Sequence, residues 1–168
     1  MPQLSLDTEW VETENLVIRQ RMTDNISMPL QIHDKLLLTG AAGALGQVLR
    51  LRLKANCKVL RLSDFNELGA ATEGEEIVLA DLGDAAAVDR AVAGVSAIVH
   101  LGGYSVEGPF APILNANIVG VYNLYESARK HGVRRVVFAS SNHVTGFYRQ
   151  GETITSDHPP RPDGLYGV

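Results

Sequence analysis

Cysteine is nearly absent from this 168-residue sequence. Cys57 is the only one, so no internal disulfide can form and a reducing compartment is expected. No apolar run approaches the roughly 20 residues of a membrane span, and the acidic first twenty residues lack the apolar core of a secretory signal. There is no basic surplus either. A formal net charge of −4 argues against nucleic acid or an anionic membrane as partner. These absences predict a cytoplasmic protein.

The excess of negative charge lies entirely in residues 1–34. Two arginines there face six Asp and Glu residues, whereas the two signs balance in residues 35–168. The segment also lacks sustained hydrophobic periodicity, which predicts a poorly ordered N-terminal extension. Whether it belongs to the native protein is left open. Residues 35–168 are predicted to form the organised domain.

Short apolar runs alternate with helical periodicity from residue 35 onward. The predicted strands are residues 36–39, 59–62, 77–80, 97–101 and 134–139. Helical spacing of apolar residues follows the first strand, residues 84–92 form a short alanine-rich helix, and a longer amphipathic helix begins near residue 113 and ends before Gly132. Continuous apolar strands that alternate with helices indicate an α/β fold with a parallel sheet covered on both faces.

A glycine-rich turn joins the first strand to the first helix. In the sequence Thr39-Gly-Ala-Ala-Gly-Ala-Leu-Gly46, Gly40 permits a tight turn and Gly43 lets the backbone approach a pyrophosphate. Gly46 allows the helix to pack closely on the strand, and the helix N-terminus offers N–H groups to phosphate. The alternative is a tight strand–helix turn without a ligand.

Asp64 ends the second strand, eighteen residues after Gly46. A carboxylate there can accept both hydrogen bonds from an adenosine ribose and would repel a 2′-phosphate, which favours NAD over NADP. Two alternatives stay open. Asp64 could simply form a turn, and Arg61 nearby could tolerate NADP.

At this point the sequence resembles the extended short-chain dehydrogenases, the NAD-dependent epimerase/dehydratase superfamily. The resemblance spans residues 35–168. It is carried by the glycine loop together with Asp81-Leu82, His100-Leu-Gly-Gly103, Phe138-Ala-Ser-Ser141 and Tyr166. Within the superfamily the sequence is most similar to the uronate dehydrogenase family, through residues 100–107, Ser140-Ser-Asn-His143 and residues 161–168.

The resemblance implies a Rossmann-type, doubly wound parallel sheet of strand order 3-2-1-4-5 and assigns roles to named residues. The catalytic residues would be Tyr166, as general base, and Ser141, which would polarise the substrate oxygen. Cofactor-binding residues would be Gly40, Ala42, Gly43, Ala44, Leu45, Gly46, Asp64, Asp81, Leu82, Leu101, Gly102, Gly103 and Ser140. Substrate-binding residues would be Ser105, Ser141, Asn142 and His143. Asn117 would bond either to backbone near the site or to a neighbouring loop.

The implied activity is NAD-dependent oxidation of galacturonate or glucuronate at C1 to the aldarolactone, with a small sugar acid as the partner molecule. The family also has a lysine four positions after its tyrosine, which here falls beyond Val168, so we expect a C-terminally truncated domain of doubtful activity. A nucleotide-sugar epimerase or dehydratase, and a non-catalytic dinucleotide-binding fragment, are the alternatives. Homo-oligomers are left open. No metal site is predicted, because His143 has no Cys or His at ligand spacing.

Overall fold

The computed structural model describes residues 33–168. In chain order the elements are β1 (His33–Thr39), α1 (Ala44–Leu53), a 3₁₀ turn (Lys54–Asn56), β2 (Cys57–Ser63), β3 (Glu75–Ile77), α2 (Ala85–Val92) and β4 (Ala97–His100). A continuous helical stretch follows as α3 (Phe110–Ile113), a π-helical segment (Leu114–Val119) and α4 (Gly120–Lys130). β5 (Val136–Phe138) and a 3₁₀ helix (Asn142–Thr145) complete the elements.

The five strands form one parallel sheet in the order β3-β2-β1-β4-β5. Leu37 of β1 lies opposite Arg61 of β2 and Ile98 of β4, so β1 occupies the centre of the sheet. This is the predicted Rossmann-type order, and the prediction of the fold class is confirmed. From β1 the chain continues through β2 to β3 on one side of the sheet, and it then crosses to β4 and β5 on the other side of β1. Ligands of such sheets bind at this topological switch point, where the strand order reverses.

Alternate residues of β1 supply the two hydrophobic cores. Leu36 and Leu38 are buried with Leu60 and Leu62 of β2 on one face, where Leu49 and Leu53 of α1 pack against them. Leu37 faces the other side, in a cluster completed by Val88, Val92, Ile98 and Leu124. The helices α1 on one face and α2 with α4 on the other therefore cover the sheet, as parallel sheets require.

The predicted extension falls mostly outside the described residues. His33 and Asp34, which it includes, are part of β1. The third strand was predicted at residues 77–80, but β3 comprises Glu75–Ile77. Residues 78–80 still run beside β2, since the N–H groups of Val78 and Ala80 donate to the carbonyls of Leu62 and Asp64. Among the helices of residues 33–168, none is long and apolar enough to cross a membrane.

Glu75 enters the sheet because cations surround its carboxylate. Its side chain is only 2% exposed, and it accepts hydrogen bonds from Arg50 at 2.6 Å and from the Thr72 N–H at 2.8 Å. The bond from Arg50 is the main reason that the pKa of Glu75 falls to about 2. Glu73, Glu75 and Glu76 on their own resemble a solvated turn, yet Glu75 and Glu76 belong to β3.

The neighbouring Glu76 ties β3 to the rest of the sheet. Its carboxylate pairs with Lys35 of β1 at 2.7 Å and with Arg61 of β2 at 2.8 Å. Arg61 also donates to the carbonyls of Ala91 at 2.9 Å and Ala93 at 2.7 Å, at the C-terminal end of α2. The Arg61 guanidinium is therefore engaged in the fold.

Replacing Glu75 should destabilise the protein in a pH-dependent way. The folded-state pKa lies below the ordinary value of 4.5, so the stabilisation is present above pH 4.5 and is lost as the pH falls toward 2. We expect Glu75→Gln to lower the free energy of unfolding by about 2 kcal/mol at pH 7, with the difference from wild type shrinking below pH 4.5. Urea unfolding at several pH values measures both.

Glu73→Gln, on the exposed turn two residues earlier, is the matched control and should change the free energy of unfolding little. A pH-independent effect of Glu75→Gln would contradict the ion-pair explanation.

Candidate active site

The C-terminal ends of β1, β2 and β4 surround a first cavity of ≈ 230 Å³. Its lining includes eight of the predicted cofactor residues: Gly40, Gly43, Asp64, Asp81, Leu82, Leu101, Gly102 and Gly103. Ser105, predicted to bind substrate, lines it as well. The cavity lies at the switch point of the sheet, where the fold predicts a ligand.

Gly40 lies where two stretches of backbone approach too closely for any side chain. Its φ of +69° is the left-handed conformation that favours glycine. A Cβ at this position would stand 2.7 Å from both the Leu101 carbonyl carbon and the Gly102 nitrogen. The turn after β1 and the chain leaving β4 therefore touch through backbone atoms alone.

Gly46 permits a second close approach, between α1 and the same turn. A Cβ there would overlap the Gly40 carbonyl oxygen and lie 2.7 Å from the Ala41 Cα. The N-terminus of α1 has no side-chain cap and no acidic residue in its first turn. Its unpaired N–H groups and the positive end of the helix dipole suit a phosphate anion. The residues present fit the diphosphate of a dinucleotide.

Asp64 lines the first cavity and also organises its own turn. One carboxylate oxygen accepts from the Ala42 N–H and the other from the Asn66 N–H, each at 3.0 Å. The bond to the residue two positions on is an Asx turn, so the turn-forming alternative is also realised. Each oxygen keeps a further lone pair for a ribose hydroxyl. Arg61 does not line this cavity.

A second cavity of ≈ 160 Å³ adjoins the first and shares Leu101, Gly102, Gly103 and Ser105 with it. The loop after β5 contributes Ser140 and Ser141, and the C-terminal segment contributes Tyr166. Both predicted catalytic residues, Ser141 and Tyr166, therefore line one cavity. Phe138 and Val121 form apolar parts of its wall.

Asn117 anchors the loop that separates the two cavities. Its side-chain oxygen accepts from the Tyr104 N–H at 2.7 Å, and its amide donates to the Tyr104 carbonyl at 3.0 Å. Of the two roles predicted for Asn117, the structure shows hydrogen bonding to the backbone of a residue in the cavity wall. Asn117 lies in the π-helical segment, a local geometry that is frequent at functional sites.

His143 stands beside Tyr166 and is oriented by a carboxylate. Its Nδ1 lies 2.9 Å and 3.0 Å from the two oxygens of Asp163, and its ring meets the Tyr166 ring edge-on at 5.4 Å between centroids. Asp163 as acceptor fixes the Nδ1–H tautomer, which directs the other ring nitrogen away from Asp163. Neither His143 nor Asn142 lines the two cavities.

His100 and Thr39 form a buried pair beneath the Gly102 loop. The Thr39 hydroxyl lies 2.6 Å from His100 Nδ1 and accepts from the Gly102 N–H at 3.2 Å. Within residues 33–168, His100 Nε2 is the one buried side-chain nitrogen or oxygen without a hydrogen-bond partner. Burial lowers the pKa of His100 to about 4, so the ring is neutral at pH 7. It behaves as a core histidine that is only half satisfied.

Four predicted cofactor residues do not line either of the two cavities: Ala42, Ala44, Leu45 and Gly46. Ala42 contributes through its N–H to Asp64, Gly46 through its missing side chain, and the Leu45 side chain is 68% exposed. Sequence reasoning missed Thr39, Asp163 and Glu107, whose signals are hydrogen bonds to residues that are distant in sequence. In the described part of the chain, no group of three or more His, Cys, Asp or Glu residues could hold a metal ion.

The parallel sheet, the glycine cradle formed by Gly40, Gly43 and Gly46, and the two adjoining cavities are together typical of a dinucleotide-binding α/β domain. Residues 36–168 match the model of the NAD dependent epimerase/dehydratase family, and the chain belongs to that family.

Several relatives share more than half of the aligned residues with this chain. The chain is 57% identical over 136 residues to a uronate dehydrogenase from Pseudomonas syringae pv. tomato, covering 80% of this chain and 50% of that protein. It is similar to the crystal structure of uronate dehydrogenase from Agrobacterium tumefaciens at 56% identity and TM-score 0.79, with 82% and 51% covered. A mutant of that enzyme complexed with NAD gives the same identity and TM-score, with 81% and 51% covered. The chain thus spans about half the length of the relatives it matches.

Acid should destabilise the fold through His100. The folded-state pKa of about 4 lies below the ordinary 6.5, so between these values the unfolded chain binds a proton that the folded chain does not. The stabilisation is complete above pH 6.5 and is lost as the pH falls toward 4, by on the order of 2–3 kcal/mol in total. We expect His100→Asn, which keeps a polar atom near Thr39 but cannot titrate, to remove this part of the pH dependence of unfolding.

Equal slopes for wild type and His100→Asn between pH 4 and 6.5 would contradict the assignment.

Proposed function

We propose that the protein is an NAD-dependent uronate dehydrogenase that oxidises galacturonate or glucuronate at C1 to the aldarolactone. The observation that carries the proposal is the joining of the two cavities at Gly102 and Gly103. The phosphate cradle lies on one side of this junction, and Tyr166 and Ser141 lie on the other. The cradle residues would hold the diphosphate of a dinucleotide, and Ser141 and Tyr166 would act on the substrate on the other side of the junction.

The cofactor half of the proposal rests on fit. The first cavity combines side-chain-free backbone at Gly40 and Gly102, the bare N-terminus of α1 and the Asp64 carboxylate. Asp81 and Leu82 line the same cavity and suit the adenine edge and face. Leu45 and Ala44 would contribute through the backbone of the first turn. Bound NAD supplies the acceptor for the hydride that leaves C1.

The chemical half assigns roles to two hydroxyl groups. Ser141 donates a hydrogen bond to the C1 oxygen of the sugar, and Tyr166 accepts the C1 hydroxyl proton as the carbon is oxidised. Oxidation of a cyclic sugar at this carbon turns the ring into a lactone. The apolar wall at Phe138 and Val121 limits the water that reaches the reacting atoms.

The carboxylate of the sugar acid distinguishes a uronate from a neutral sugar. His143, whose Nδ1 is held by Asp163, is the residue that we propose to contact that carboxylate. Asn142 and Ser105 add uncharged hydrogen-bonding groups. His143 and Asn142 lie next to the second cavity but do not line it. A sugar acid whose carboxylate contacts them therefore has to extend beyond the rim of that cavity.

Turnover should depend on the Tyr166 hydroxyl. We expect the purified protein to form NADH with galacturonate or glucuronate, followed by absorbance, and Tyr166→Phe to lower kcat by about 10²–10⁴-fold, because a positioned proton acceptor contributes that much. Affinity for NAD, measured by calorimetry, should stay within a factor of about two, since the first cavity does not include Tyr166.

Tyr122→Phe is the matched control, because the Tyr122 side chain is 68% exposed on α4 and lines neither cavity. NAD binding without turnover on either acid would overturn the proposed reaction and favour a non-catalytic dinucleotide-binding protein.

Cofactor choice should depend on the charge of Asp64. Asp64→Asn keeps a side chain of the same size but removes the charge that repels a 2′-phosphate. We expect the ratio of NADP to NAD affinity to rise by about tenfold or more in calorimetric titrations. Asp157→Asn, at an exposed position outside the first cavity, is the control and should leave the ratio unchanged. An unchanged ratio in Asp64→Asn would remove Asp64 from the cofactor site.

A further inference from the structure

The exposed Glu107 connects two loops that wall the second cavity. Glu107 belongs to the loop after β4, yet its carboxylate oxygens accept from the N–H groups of Leu165 at 3.3 Å and Tyr166 at 3.1 Å. The two residues are 58 and 59 positions away along the chain. Both bonds are charge-assisted, and such bonds are stronger than those between neutral groups.

The loop that presents Glu107 is itself held in place. Asn117 binds both backbone groups of Tyr104, and the Tyr104 ring packs so closely on Gly108 that a Cβ there would lie 2.7 Å from the ring. Glu107 lies between these two fixed points. Its carboxylate is therefore directed by an ordered loop, although the residue itself is exposed.

Apart from Glu107, few groups contact the backbone at Leu165 and Tyr166. Gly164 has no side chain, and a Cβ there would overlap a Glu107 carboxylate oxygen. On the far side the segment packs on the 3₁₀ helix, where Asp163 bonds His143 and a Cβ on Gly167 would overlap the His143 carbonyl oxygen. Tyr166 lies between these two attachments, with its ring against His143.

We propose that Glu107 is a positioning residue, whose carboxylate clamps the Leu165–Tyr166 backbone to the loop after β4 and thereby holds the Tyr166 hydroxyl in the second cavity. This role depends on the proposed function only for what Tyr166 does chemically. Without the clamp, the segment retains its contacts at His143 and Asp163 but loses the bonds at the tyrosine itself. Misplacement of a reacting group by about 1 Å can cost about 100-fold in rate.

The first measurement is independent of catalysis. Millisecond hydrogen–deuterium exchange of the peptide covering residues 161–168 reports opening of the clamp, with the peptide of β1 as internal reference for global unfolding. In Glu107→Ala we expect exchange of the Leu165 and Tyr166 amides to quicken by about threefold or more, because their acceptor is gone. Glu107→Gln keeps a side-chain oxygen acceptor and should give an intermediate rate.

The matched control is Glu126→Ala. Glu126 is an exposed glutamate that pairs with Arg129 on α4, away from both loops. It should leave the exchange of residues 161–168 unchanged. Equal exchange in Glu107→Ala, Glu126→Ala and wild type would overturn the clamp.

The second measurement addresses positioning. Glu107→Ala should lower kcat for the uronate by about ten- to a hundredfold, with partial rescue in Glu107→Gln, while NAD affinity stays as in wild type. Faster exchange with unchanged kcat would overturn the positioning role. If wild type itself turns over neither acid, the proposed function fails, and the exchange measurement alone decides for or against the clamp.

Discussion

Contact between two stretches of backbone, at Gly40 and at Leu101–Gly102, is the constraint on which the rest of the structure depends. Atoms of the turn after β1 approach the chain leaving β4 so closely that a Cβ on Gly40 has no space. This contact brings the ends of the two central strands together and leaves room for a ligand above them. In the same way, the missing side chain of Gly46 lets α1 pack against this turn, and Gly43, the N-cap residue of α1, lines the first cavity. Three glycines thus set the geometry of the phosphate cradle by excluding side chains.

The two cavities are held by different kinds of interaction. Around the first cavity, steric contact at Gly40 and the buried Thr39–His100 pair fix the backbone. Around the second cavity, the backbone is held by side-chain hydrogen bonds between separate segments: Asn117 to Tyr104, Glu107 to Tyr166 and Asp163 to His143. Bonds of the second kind open more easily because water competes for them. The first cavity therefore depends mainly on close backbone packing, and the second on hydrogen bonds between segments that are distant in the chain.

Local sequence patterns predicted the apolar strands correctly, but they failed for β3, where charged residues form part of the sheet. Leu36–Thr39 and Ala97–His100 were predicted correctly because continuous apolar runs have one stable place, between two layers of helices. Glu75 and Glu76 resemble a solvated turn in isolation. They become a strand since Arg50, Arg61 and Lys35, from α1, β2 and β1, neutralise them. Tyr122 belongs to the apolar stripe of the amphipathic helix by its spacing, but its side chain is 68% exposed on α4.

The sequence by itself determined the fold class, the glycine cradle and the carboxylate of Asp64, because each follows from residues that are close together in the chain. Strand periodicity and glycine spacing act over a few positions, where backbone geometry decides the outcome. Only the tertiary structure decided that Ser141 and Tyr166 share a cavity, that Asp163 orients His143, and that Glu107 reaches the Tyr166 backbone. Those contacts join residues separated by 20 or more positions. Their formation depends on how the loops meet at the end of the sheet, and no local pattern carries that information.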